Sequence, residues 1–193
     1  MIPYTTLTDG TITLRPFQFM DAPAMHAAVC ESLAELKPWM SWAHDDYSQR
    51  ESFDFITLVR AKWEEGAVYS FVIADAHDDT FLGGCSLSHI HPVYHFCNLG
   101  YWVRSSRHGR GIAGRAAKLA ARFGFEKIKL IRVEVVVAVG NAASLRAAEK
   151  IGLKCEGVLR NRITVGPAIH DAVMFAFTPG DFGLRTLTGD QQR

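Results

Sequence analysis

The chain has 193 residues, 48% hydrophobic and 21% charged, which is the composition of one ordinary globular domain over 1–193 and excludes a mostly disordered chain. Its 21 basic and 20 acidic residues leave a formal net charge of +1, which excludes a nucleic-acid binder built on bulk positive charge. No apolar run approaches the ~18 residues of a membrane span, and the opening Met1-Ile-Pro-Tyr-Thr-Thr lacks a basic-then-apolar leader, so the expected address is the cytoplasm, with neither membrane nor nucleic acid as a direct partner.

In chain order, Thr11 to Pro16 reads as a first strand, with Ile12 and Leu14 facing one way. Asp21 is placed to cap a helix that carries Pro23 in its first turn, and Ser32 to Leu36 adds a short helical piece before Pro38. Ser48 to Glu65 is a longer helix, with Phe53, Phe55, Ile56, Leu58, Val59 and Trp63 as its apolar side. The period then shortens. Val68 to Ala76, Phe81 to His89 and Phe96 to Arg104 read as three strands, joined through Asp78-Asp79 and through His91 to His95. A helix follows from about Gly111 to Lys127, then a buried strand over Leu130 to Val139 rich in β-branched residues. Asn141 to Ile151 is a helix closed by Gly152, and two strands near Cys155 to Thr164 and Ala168 to Thr178 end the fold before a polar tail, Asp190 to Arg193, expected to fray. The order predicts a mixed α/β fold: a central sheet of about seven strands, with helices on both faces. Cys30, Cys85, Cys97 and Cys155 form no CxxC pair and read as reduced thiols, mostly small core residues.

The densest signal is Arg107-His-Gly-Arg-Gly-Ile-Ala-Gly114, between a strand and a helix. It is either a plain flexible turn or an anion cradle. Glycines let backbone N–H groups approach a phosphate, and the helix N-terminus adds partial positive charge. Three cradles compete. Gly109-x-Gly111-x-x-Gly114 fits the dinucleotide fingerprint, with Glu134 twenty residues on, but Arg104 to His108 separates it from its strand and Glu134 sits inside the next strand rather than at its end. A nucleotide P-loop would need lysine where Arg115 stands and a hydroxyl where Ala116 stands.

The third cradle is the pyrophosphate loop of the GNAT acetyltransferases, Q/R-x-x-G-x-G/A, which His108-Gly-Arg-Gly-Ile-Ala113 resembles. A second motif agrees: Asn141-Ala-Ala-Ser144 through Glu149-Lys-Ile-Gly152 to Glu156-Gly157 is similar to the family's N-x-x-S/A…E-K-x-G-F…E-G segment. The resemblance is to the Rim-type (RimJ/RimL-like) branch, which acetylates protein N-termini and small amines. It extends to Glu31 through Trp42, and so covers nearly the whole chain. It implies acetyl-CoA as cosubstrate and no metal. Acetyl-CoA would lie along Gly100, Tyr101, Trp102 and Val103 of a splayed strand, on the loop residues His108, Gly109, Arg110, Gly111, Ile112, Ala113 and Gly114, and beside Asn141. His108 departs from the usual Gln or Arg, but its backbone N–H is expected to donate. The resemblance also implies transfer in a ternary complex, and monomers or homodimers as the oligomeric states in play.

Many family members protonate the leaving thiolate with a tyrosine seven residues after the asparagine; here Ala148 stands there. Ser144, which in Rim-type relatives is thought to take that role, is the catalytic candidate; its other reading is a hydroxyl serving the helix start. The strand glutamate that often serves as base in this branch is Asn98, which accepts no proton. His89, His91, His95 or a water remain as base, and His89 with His91 lacks a third ligand for a metal. An α-amine is roughly 10% neutral at pH 7, against under about 0.1% for lysine, so a weak base favours α-amines. Trp39, Trp42 and His44 fall where the family builds its acceptor pocket, with His89 and Asn98 as further substrate contacts; the tryptophans read equally well as packing anchors. Arg160 and Arg162, at i and i+2 on a strand, share one face, as a docking pair for an anionic or ribosomal partner or as solvated charges. A non-catalytic acyl-CoA-binding module and a dinucleotide oxidoreductase are the alternatives.

Overall fold

A computed structural model describes residues 2–185, so the expectation for Asp190 to Arg193 lies outside the described residues. The elements run β1 (Leu7–Thr8), β2 (Ile12–Pro16), α1 (Ala22–Glu31), α2 (Leu33–Leu36), α3 (Gln49–Glu64), β3 (Tyr69–Asp75), β4 (Phe81–Ser88), β5 (Phe96–Val103), α4 (Ile112–Phe123), β6 (Arg132–Ala138), α5 (Ala142–Lys150), β7 (Lys154–Val165) and β8 (Ala168–Phe177). They form one sheet of eight strands in the order β1-β2-β3-β4-β5-β6-β8-β7. All neighbours are antiparallel except β5 and β6, which are parallel. The strand beyond the expected seven is β1, whose two residues are too few to carry a period.

The sheet buries both faces. In β3, Phe71 and Ile73 pack with the alanines of α4 (Ala116, Ala117, Ala120, Ala121), while Val72 and Ala74 pack with Met25 and Val29 of α1 and Ile56 and Val59 of α3. Strand alternation thus splits the core in two. Small side chains on α4 let the helix lie close on the sheet.

Several local readings change in the folded chain. Asp21 does not cap α1 with its side chain. Its carboxylate instead accepts from Arg15 at 2.8 Å and 2.9 Å and from the Gln18 N–H at 2.7 Å, tying β2 to the turn before the helix. In α3 only part of the apolar side is inward: Phe53 and Leu58 are exposed, while Ile56, Val59 and Trp63 are buried. Strand β6 buries one face, not both. Val133, Val135 and Val137 face the core, and Arg132 reaches Glu134 and Glu156 on the other side. Cys85 and Cys97 are core residues as read, but Cys30 and Cys155 are exposed. Helix α5 closes as expected: Gly152 has φ +81, its N–H meets Glu149 O, and the Leu153 N–H meets Ala148 O.

Candidate active site

The site begins with a defect in the sheet. Strands β5 and β6 pair only over Phe96–Arg132, Cys97–Val133 and Asn98–Glu134. Beyond that fork β5 stays with β4 and β6 stays with β8. The facing edges of Leu99–Val103 and Val135–Ala138 are left without strand partners, and such edges carry backbone groups that need a ligand or water. Asn98 stands at the fork. Above it Gly100 is exposed, with open space where a side chain would project.

Along β5 the side chains alternate. Trp102 packs with the α1–α3 face, and Tyr101 with the α4–α5 face. Tyr101 Oη is the sole buried side-chain polar atom without a hydrogen-bond partner among the described residues. Burial raises its pKa, with the nearby Ser144 hydroxyl acting the other way, so the phenol stays protonated. Ser144 approaches it without completing a hydrogen bond. A buried donor left idle is a costly arrangement unless an acceptor arrives with a ligand.

Ser144 is fixed by its own helix start. Asn141 is the N-cap of α5, and its Oδ1 accepts from the Ser144 N–H at 3.0 Å. Ala148, one turn further, is fully buried.

The glycine loop leads from β5 into α4. Gly109 and Gly111 have φ of +77 and +74, a backbone that only glycine adopts freely, and each faces open space. Gly111 is the N-cap and offers no side chain, so the first N–H groups of α4 remain available for an anion. Two expectations for this loop are corrected. The His108 N–H already donates to Ser105 O at 3.1 Å, and its ring nitrogen Nε2 bonds Val103 O at 2.7 Å, so His108 braces the loop and has no backbone donor to spare. Gly114 is a packing glycine: a Cβ there would stand 2.0 Å from Ile151 Cγ2 of α5. Ile112 is buried and Ala113 half-buried, which leaves their backbone N–H groups as the available donors, while Arg110 is exposed.

On the α1–α3 face a cavity of about 440 Å³ opens against Gly100, Tyr101 and Trp102 of β5. Trp42 and His44 line it, as expected of an acceptor pocket. Trp42 lies 6.0 Å from the Trp102 ring. Trp39, His89 and Asn98 do not line it. Trp39 instead packs on Gly140, beside the α5 N-cap, and meets His170 edge-on at 6.2 Å. His89 sits at φ +53 in the β4–β5 turn, bonded to Ser88 Oγ at 3.1 Å. His91 is stacked between Tyr94 and Phe96, and its Nδ1 accepts from the Val93 and Tyr94 N–H groups. These turn histidines brace a loop. Sequence reading missed Tyr47 and Glu51 on the cavity wall; the Ser48-x-x-Glu51 spacing was a signal for the helix start but not for a pocket. Arg160 and Arg162 flank Asn161, at φ +52, inside a register break between Leu159 and Ile163, so simple alternation does not put them on one face.

An unpaired strand fork, an anion-ready helix start and a cavity on the opposite face are now in place. The Acetyltransferase (GNAT) domain family matches residues 11–154. The chain belongs to the GNAT family. It is therefore an acetyl-CoA-dependent N-acetyltransferase. A Bacillus subtilis protein named "Probable N-acetyltransferase YjcK" is 28% identical, over 91% of this chain and 98% of its own length. The Escherichia coli ribosomal-protein-serine acetyltransferase is 22% identical, over 79% of this chain and 84% of its own. The solved structure of Mycobacterium smegmatis RimJ in complex with CoA-disulfide superposes with a TM-score of 0.78 at 24% identity, covering 96% of this chain and 90% of that one. The GNAT assignment removes the dinucleotide reading, and the geometry agrees: Glu134 lies inside β6 with its carboxylate held by Arg132 at 2.8 Å. Among the described residues no cluster of three or more His, Cys, Asp or Glu is placed to hold a metal ion, and no helix is long and apolar enough to cross a membrane.

Proposed function

We propose that this GNAT enzyme acetylates a free α-amine, at the N-terminus of a peptide or protein or on a small molecule, by direct attack in a ternary complex. The observation that carries the reading is the two-sided access to β5. The cavity reaches Gly100–Trp102 from the α1–α3 face, while Tyr101 and Ser144 stand on the α4–α5 face. The unpaired fork joins the two faces, so donor and acceptor can meet in one site without a covalent enzyme intermediate. The ribosomal-protein-serine acetyltransferase among the relatives supports a ribosomal protein as acceptor, and with it a cytoplasmic location.

Acetyl-CoA supplies the activated acetyl group as a thioester. The backbone N–H groups of Gly109 to Ala113 hold the pyrophosphate, helped by the α4 dipole and Arg110. The edge of Gly100 to Val103, where among the described residues only the Val103 carbonyl is already taken by His108, holds the pantetheine arm and supplies a backbone N–H to the carbonyl oxygen as charge develops there. Tyr101 Oη gives its idle proton to an acceptor at the reacting end. Ser144 Oγ delivers a proton to the sulfur, with Asn141 fixing its backbone. Trp42 and Trp102 wall the acceptor and exclude water.

The test is thermal unfolding with acetyl-CoA, CoA, NAD and NADP in turn, followed by turnover on peptides with free or blocked α-amines and with lysine. A ligand at about 100 times its Kd adds about 2.7 kcal/mol. The expected result is a shift with the two CoA compounds alone, and turnover that is lost when the α-amine is blocked. Turnover on lysine with a blocked α-amine would overturn the proposal.

A further inference from the structure

The strand residue that would carry a base is Asn98, and the turn histidines stand outside the cavity. A different histidine lines it, with its side chain 47% exposed. His44 comes from the segment between α2 and α3 and lines the cavity together with Glu51 of α3. His44 Nε2 meets Glu51 Oε1 at 2.7 Å. The other oxygen of Glu51 is held by Ser48, from its N–H at 2.9 Å and its Oγ at 2.8 Å. The carboxylate is thus clamped by the start of α3 before it meets the imidazole. Those bonds, from Ser48 first and His44 after, hold the Glu51 pKa below its ordinary value, so the group is an acceptor only. An ionised acceptor on Nε2 fixes the neutral ring with its proton on Nε2 and a bare lone pair on Nδ1. Nδ1 has no hydrogen-bond partner among the described residues.

We infer that His44 is the general base of the acetyl transfer, with Glu51 as its positioning residue. The inference rests on the reading of this cavity as the acceptor site. A neutral amine forms its bond to the acetyl carbon while the carbon–sulfur bond breaks. The proton shed by nitrogen passes to His44 Nδ1, directly or through one water, and then to solvent. The sulfur takes its proton from the other face, so one proton moves from nitrogen to sulfur in the net reaction. Glu51 stabilises the imidazolium formed in between.

Among the described residues no other charged side chain bonds this pair, which is open to solvent. Tyr47 packs edge-on to His44 at 6.1 Å, and its hydroxyl is engaged with Ser52. His26 of α1 stacks on Tyr47, with Cys30 bonded to it. Asp45 is paired with Lys37, and Asp46 is exposed. The sheet contributes Ser86 and Ser88 to the cavity, which carry no charge.

The first test needs no acceptor. Long-range ¹⁵N correlation spectra of the ligand-free protein, at a pH where His44 is neutral, should show the Nε2–H tautomer, and E51Q should lose that preference. A ring with its proton on Nδ1 overturns the inference. The second test uses acetyl-CoA and a hexapeptide with a free N-terminal serine. H44Q should lower kcat by about a hundredfold or more, as loss of a base does, with KM within about threefold. Imidazole in the buffer should restore part of the H44A rate. Glutamine keeps the reciprocal bonds of the α3 start, so a purely structural Glu51 predicts an unchanged E51Q, whereas the inference predicts a loss of about tenfold in kcat. A change confined to KM in H44Q makes His44 a binding residue and overturns it. If the wild type ignores the peptide, the acceptor is another amine, and a ring with its proton on Nδ1 still overturns the inference.

Discussion

Arg104 and Glu31 are 73 residues apart in sequence and joined in space: the guanidinium that leaves β5 toward the glycine loop meets the last residue of α1. Glu31 also accepts from the Ser106 N–H at 2.8 Å, and the next residue, Ser32, accepts from the Ser105 N–H at 3.0 Å. The helical layer that walls the cavity is therefore latched to the loop that cradles the anion.

This latch sets an acid response. Arg104 foremost, then Ser106, holds the Glu31 carboxyl down at about 2, against an ordinary value of 4.5. A depressed carboxylate contributes stability that is full above its unfolded value and is lost as pH falls through the folded one. Wild type should lose stability between about pH 4.5 and about pH 2, and E31Q should respond less over that window. Chemical unfolding at several pH values measures it. The same variant should raise the KM for acetyl-CoA, because the loop loses its anchor.

Tyr101 gives a prediction with opposite signs. Its buried hydroxyl has no partner, so Y101F should leave the ligand-free protein unharmed or stabilise it by about 1 kcal/mol. The same change should weaken CoA binding, which thermal unfolding with and without CoA measures. S144A should behave differently, keeping CoA affinity and losing turnover.

Two glycines of one motif should fail in different ways. G111A strains a φ of +74 at roughly 1–2 kcal/mol in open space, and should chiefly weaken CoA binding. G114A drives a methyl to 2.0 Å from Ile151 Cγ2. Overpacking of roughly 1–3 kcal/mol outweighs the roughly 1 kcal/mol of helix propensity gained, so G114A should lower Tm. I151A in the same chain should relieve the clash, which a double-mutant cycle reads.

The four cysteines should separate by burial. Cys30 and Cys155 are exposed and should react with iodoacetamide in the native protein. Burial pushes Cys97 up to about 12 and Cys85 higher, so both should stay unmodified until unfolding. Peptide mass spectrometry after a timed pulse resolves the two classes.

Much was legible in the chain itself. Alternating Ile12 and Leu14, the glycines at 109 and 111, and the Asn141 cap followed by Gly152 are local rules, in which a few neighbours fix the backbone whatever lies beyond. They determined the order of strands and helices and the position of the anion loop. Tertiary structure alone decided what those pieces meet. It turned the His108 ring onto Val103, put Ile151 against Gly114, and drew the Asp21 carboxylate from its helix start to Arg15. It drew His44 and Glu51 to one cavity wall, and separated Trp39 and His89 from it. These are contacts between side chains that sequence spacing does not encode. They depend on how two strands part at Asn98 and on which layer then covers each face of the sheet.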